Sequence, residues 1–168
     1  MAYGNQVWTN PVTTEYTTEQ YALGTIRVEP ADEVTASDAS LSGDRIWVFI
    51  KAGEAITANA IVEQNATSTS FVGKRCAATA QLHPMKLIGV ASHALTLNYY
   101  GWVVKQGEVV IKSVSVSAGD LLETNGAARG TAQTGGTIGT DGDATFGRAI
   151  TDTGTPSTGL SDAYVSFP

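Results

Sequence analysis

Arg45-Ile46-Trp47-Val48-Phe49-Ile50-Lys51 sets five consecutive apolar residues, three of them β-branched, between two cations. A run this short and this rich in β-branched and aromatic side chains reads as a strand buried on both faces. Ala52-Gly53-Glu54 follows at once and reads as a tight turn. Gly supplies a positive φ there, and the carboxylate can accept backbone N–H groups. The pattern recurs. Val48 to Asn59 aligns with Val114 to Asn125, so that Ala52-Gly53-Glu54 matches Ala118-Gly119-Asp120. Each copy is later followed by an apolar-Gly-x-Ala block, Ile88-Gly89-Val90-Ala91 and Phe146-Gly147-Arg148-Ala149. A repeated strand–turn–strand unit points to an all-β fold, a small barrel or sandwich with an internal duplication. In this reading Gly53, Glu54, Gly119 and Asp120 are the structural turn residues.

Further strands are expected outward from this unit. Leu23 to Val28 alternates apolar and polar residues, and 60–64, 71–80, 86–92, 101–105, 108–117, 145–151 and 163–167 carry similar signals. Pro30 to Gly43 reads as a polar loop. The span 123–145 holds Gly at 126, 130, 135, 136, 139 and 142 and reads as a long Gly/Thr-rich loop. Helix is weakly signalled, with at most one turn over 52–60.

Composition agrees. Of 168 residues, 22 are Thr, 12 are Ser and 18 are Gly, a mixture unsuited to a helical bundle. Hydrophobic content of 42% with a net charge of only -6 argues equally against disorder. The ten basic residues are scattered, with Lys74-Arg75 the sole adjacent pair, so no basic stripe marks a nucleic-acid partner. No apolar run approaches the length of a membrane helix, and the first residues carry no signal-peptide pattern. Synthesis in cytoplasm, without membrane association, is therefore expected.

Residues 1–21 differ from the single β domain expected over 22–168. They hold Tyr3, Trp8, Tyr16 and Tyr21, four of the 13 aromatics, and only two charges. Asn10-Pro11 and the Thr pairs at 13–14 and 17–18 favour an extended backbone. Fully extended, twenty residues reach about 66 Å. Four rings alone bury too little to offset the ordering of twenty residues, so pairing with a partner is expected to supply the rest. This is read as an arm whose aromatics dock on a neighbouring protein chain and not on their own core, against the alternative of an edge strand on its own barrel.

No catalytic constellation stands out, and the chain is expected not to be an enzyme. Gly-x-Ser-x-Gly is absent, and Gly73-Lys74 continues into Arg75 without the glycine spacing of a phosphate loop. His83 and His93 are too few and too irregular for zinc. Asp141-Gly142-Asp143 lacks the remaining ligands of a calcium loop. The single cysteine, Cys76, reads as a small buried apolar residue. No cofactor or metal is expected. Tyr99-Tyr100-Gly101-Trp102 is the densest aromatic cluster and reads either as core or subunit interface, or as a stacking platform for a sugar.

The stretch from Leu23 to about Thr151 resembles tailed-bacteriophage head decoration (cement) proteins. The likeness rests on Leu23-Gly24-Thr25, on Trp47 to Glu54, and on Ile88 to Ala91 leading into Tyr100-Gly101-Trp102-Val103. It is completed by Val116 to Leu122 ending at Phe146 to Ala149. The resemblance implies a structural protein of the virion that binds the major capsid protein on the outer surface of the head. It also implies a homo-oligomer, with a trimer favoured. A phage fibre or carbohydrate-binding β module is the alternative.

Overall fold

The 45–51 run is a strand, Arg45–Ala52 (β2), in which Trp47 to Ile50 are all buried. The structure is a computed structural model and describes residues 11–37, 41–65, 70–78, 86–135, 145–152 and 158–168. Around β2 stand Ile26–Glu29 (β1), a short helix Ala31–Ser37 (α1), Ala60–Gln64 (β3), Val72–Arg75 (β4) and Leu87–Ala91 (β5). Then come Tyr100–Val114 (β6), Leu121–Thr124 (β7), Ala132–Thr134 (β8), Gly147–Ala149 (β9) and Thr158–Ser166 (β10). The fold is all-β and barrel-like.

The strand pairings close on themselves twice. β2 pairs with β4, β4 with β3, β3 with β5, β5 with β6, and β6 returns to β2. A second circuit runs β6, β10, β9, β7, β8 and back to β6. Each ring has one parallel pair, β2–β4 and β6–β8, and is otherwise antiparallel. Replacing β2 through β6 by β6 through β10 converts one ring's pairing list into the other's. The long strand β6 is shared. Such closure leaves few edges, with β1 attached outside on β2 alone.

Val48, Ile50, Ala52, Ile56, Ala60, Val62, Ile88, Ala91, Leu95 and Val103 form one buried cluster drawn from the first ring. A larger cluster includes Trp47, Phe49, Trp102, Val104, Val109, Ile111, Leu122, Phe146, Ala163 and Val165 and continues into the second ring. β6 serves both clusters before its bend, through Val103 on one face and Trp102 and Val104 on the other. Beyond the bend the larger cluster takes odd positions, Val109 and Ile111. Gly107, at φ 115, sits where the alternation shifts, and a Cβ there would lie 2.6 Å from the Asp44 carbonyl oxygen. It lets the expected strands 101–105 and 108–117 run on as one.

Two expectations are corrected. The polar loop over 30–43 contains α1, because Pro30 accepts the Glu33 and Val34 N–H groups, Asp44 Oδ1 accepts the Ala31 N–H, and Val34 is fully buried. The Gly/Thr loop over 123–145 is not one loop. Residues 123–124 end β7, and β8 lies within it and pairs with both β7 and β6. Gly130 N donates to the Cys76 carbonyl and its own carbonyl accepts from Ile61 N, so 130 is built into the fold. Short polar side chains hid β8, since its partners and not its own apolar pattern hold it. Residues 136–144, with Asp141-Gly142-Asp143, lie outside the described residues, as do His83, Tyr3 and Trp8.

Candidate functional site

Residues 11–21 lie on their own domain, which overturns the expectation that this part of the arm leaves it. Tyr16 and Tyr100 exchange backbone hydrogen bonds of 2.8 and 2.9 Å. Glu15 accepts the Thr96 N–H at 2.7 Å and its hydroxyl at 3.0 Å. Val12 is buried in the larger cluster. The Tyr21 ring meets Phe49 edge-on at 5.3 Å and Trp102 at 5.2 Å, while Phe49 stacks on Tyr100 at 6.2 Å. The physical reason is that the domain itself offers what a partner was expected to supply: backbone pairing, two donors for a carboxylate, and an aromatic slot.

The same contacts decide the 99–102 cluster. Trp102 is fully buried among Phe49 and Tyr21 and belongs to the core, while Tyr99 and Tyr100 are partly buried and Tyr100 is bridged to the Tyr16 backbone. Lys51 Nζ lies 5.6 Å from the Tyr100 ring centre.

At the two turns the structure keeps the duplication but shifts its register. Gly119 has φ 90, and its N–H donates to the Ala149 carbonyl at 2.9 Å. The residue that does this in the first ring is Asn59, with φ 62 and an N–H donating to the Ala91 carbonyl at 2.6 Å. Gly53 is not at positive φ. It is small because a Cβ would come within 3.0 Å of Asn65 Nδ2 and Val72 Cγ1. Gly119→Asn should therefore cost under about 0.5 kcal/mol, since Asn tolerates this backbone and a Cβ placed there would meet nothing within 4 Å. Gly53→Asn should cost about 1–3 kcal/mol through overpacking. Denaturant melts of the two variants check this ordering, and equal costs would return the two glycines to one role.

The turn acids differ as well. Asp120 accepts the Ser117 N–H at 2.9 Å and the Thr134 hydroxyl at 2.8 Å, closing its own turn. Glu54 instead ties three segments together. It accepts from Arg75 N and Nε at 3.0 and 3.2 Å and from Arg129 Nη2 at 2.8 and 2.9 Å. Partial burial pushes the Glu54 carboxyl up, but the Arg129 and Arg75 bonds outweigh it and hold the group below its ordinary value. A depressed carboxyl stabilises the fold above its unfolded pKa, and that contribution is lost as pH falls through the folded one. Glu54→Gln should cost about 1 kcal/mol at pH 7, limited by solvent screening, and the difference should vanish in acid below the folded pKa. Urea melts at both pH values read this. A difference that persists in acid would assign Glu54 a packing role.

Burial shifts two further titratable groups. Cys76 is buried and its thiol is pushed up to about 11, chiefly by burial, which suits an apolar residue rather than a nucleophile. Burial lowers the His93 pKa and the nearby Glu15 carboxylate opposes this. Among the described residues no three His, Cys, Asp or Glu side chains are placed to hold a metal ion.

Sequence reading missed one motif. Ala52-x-x-Ala55-Ile56-Thr57-x-Asn59 repeats as Ala91-x-x-Ala94-Leu95-Thr96-x-Asn98. The two loops grip each other. Ile56 and Leu95 exchange hydrogen bonds of 2.8 and 2.9 Å, Asn59 N reaches the Ala91 carbonyl, and Asn98 N reaches the Ala52 carbonyl. Both Asn residues have positive φ, 62 and 68. The spacing was legible, but it lay outside the longer alignment. Thr96, to which Glu15 binds, belongs to this clasp.

No protein-family model and no curated protein sequence matches the chain. Among solved structures it is similar to the N base of head fiber gp8.5 of bacteriophage phi29, with a TM-score of 0.51 and 16% identity. The match covers 73% of this chain and 94% of that one. At that identity the two share a fold.

Proposed function

We propose that this chain is a structural protein of a tailed-phage head, carried on the outer surface of the capsid as a decoration (cement) protein bound to the major capsid protein. The observation that carries the reading is the fold shared with the base of a phage head fibre. The layout resemblance of Leu23 to Thr151 to head decoration proteins points the same way. No reaction is assigned to it: its one thiol is buried and its turn carboxylates are occupied by internal bonds. Mixing the purified chain with expanded heads that lack it tests the role. Saturable co-sedimentation, with a fixed number of copies per coat subunit and new density on the outer surface, is the expected result. Heads that gain no density at saturating protein would overturn it.

Because the similar structure is a fibre base, a second reading is favoured next, in which this chain too is the base of a head fibre and not a cement protein. Density that extends outward from isolated positions, without spanning coat subunits, would select it. A sugar-binding module is disfavoured because Trp102 and Phe49 are enclosed.

A further inference from the structure

The first ring is treated differently at its two ends. At one, the clasped loops 52–59 and 91–98 join the end of β2 to the start of β3 and the end of β5 to the start of β6. At the opposite ends of β3 and β5, Gln64, Leu87 and Ile88 line a cleft of about 240 Å³. Val48 and Ile88 bring the ring's own core to this cleft, Phe71 adds an aromatic wall, and Lys86 and Lys105 bring two charges. Barrel mouths that are mostly apolar and carry a few charged groups are favoured places for small ligands.

Phe71 is held there under strain. Its φ is 63, a backbone that a bulky residue rarely adopts. Its N–H donates to Gln64 Oε1 at 3.1 Å and its carbonyl accepts the Lys51 N–H at 3.1 Å. Its ring lies on Gly24, where any Cβ would collide with it. Strain that the surroundings over-determine in this way gathers at ligand clamps.

The two lysines are unanswered, although the chain carries a net charge of -6. Five of the ten cations are ion-paired, Lys51 lies by the Tyr100 ring and Lys112 bonds Thr57. No carboxylate, side-chain or terminal, pairs with Lys86 or Lys105 among the described residues. No Asp or Glu lines the cleft.

We infer that this barrel mouth binds a small planar molecule bearing a carboxylate or phosphate, its acid group met by Lys86 and Lys105 and its flat body by Phe71. An ammonium group supplies three donors and a full charge without a fixed plane, so either acid suits it. The apolar wall selects a ring over a bare ion. The cleft has the volume of about eight waters, room for one ring and its acid group and not for a folded partner. This goes beyond the capsid reading and does not rest on it, since the site lies within one chain.

Chemical-shift titration of the full chain, with no tag after Pro168, tests it. The probes are benzoate, phenyl phosphate, inorganic phosphate and benzyl alcohol. Benzoate or phenyl phosphate should saturate one site and move the signals of Phe71, Lys86, Leu87 and Lys105 together. Whichever of the two binds more tightly assigns the acid as carboxylate or phosphate. Benzyl alcohol has the ring without the charge, and inorganic phosphate the charge without the ring, so each should bind roughly tenfold more weakly or worse. Lys86 is exposed and Lys105 half-buried, so Lys86→Gln and Lys105→Gln should keep the native circular dichroism. Each should weaken the charged aromatic probe by roughly tenfold, the loss of one charged contact. Shifts that stay linear to the solubility limit of both aromatic probes would overturn the inference. So would benzyl alcohol binding as tightly as benzoate, or saturation indifferent to both lysine variants.

Discussion

A chain that begins at Ala22 is expected to melt at least about 10 °C below the full-length protein, with loss of near-ultraviolet aromatic dichroism. Truncation removes Val12 from the larger buried cluster and uncovers Phe49, Tyr100 and Trp102, against which Tyr16 and Tyr21 pack. It also leaves the Tyr100 backbone and the Thr96 N–H without their partners. Stripping one large aromatic from a core typically costs about 3–5 kcal/mol, and here two half-buried rings and a buried Val go together. For a domain of this size each kcal/mol moves the midpoint by roughly 2–4 °C. Tyr21→Ala alone should reproduce a substantial part of the loss. An unchanged midpoint on truncation would mean that residues 11–21 contribute nothing to the fold and are free for another partner.

Placing a methyl group at Gly89 or at Gly147 is expected to destabilise the protein by about 3 kcal/mol in each case. A Cβ on Gly89 would sit 2.5 Å from the Val104 carbonyl oxygen, and one on Gly147 would press as closely on the Tyr164 carbonyl oxygen. Both obstacles are backbone, in β6 and β10, so no rotamer change relieves them, and strands must separate. The two sites are counterparts: β5 lies against β6 as β9 lies against β10. Gly89→Ala and Gly147→Ala should thus fall within about 1 kcal/mol of each other in denaturant melts. A neutral result at one of them would show that the two rings are alike in connectivity alone and not in packing.

The all-β class and the central strand followed from side-chain chemistry that acts locally. The unbroken apolar run 46–50 suits a strand enclosed on both faces, and the abundance of Thr, Ser and Gly disfavours helix. The duplication was legible for the same reason: Ile88 to Ala91 and Phe146 to Ala149 each need a Gly where a neighbouring carbonyl comes close. What the chain alone did not decide was register. Gly119 and Gly53 share a tripeptide pattern, but hydrogen bonding equates Gly119 with Asn59, because Asn as well as Gly accepts positive φ.

Tertiary structure decided the rest. β8 has little apolar pattern and exists through its pairings with β6 and β7. Tyr16 and Tyr21 read as arm aromatics because exposure and burial use the same residues; only the slot formed by Phe49, Tyr100 and Trp102 assigns them to their own core. The cleft lined by Val28, Ile46 and Tyr164 was equally hidden, since these residues are far apart in the chain and become neighbours when β1, β2, β6 and β10 lie side by side. Local sequence selects a strand and the face on which its residues alternate. Which face is enclosed, and by what, is a property of pairings between distant segments, and those are settled when both rings close.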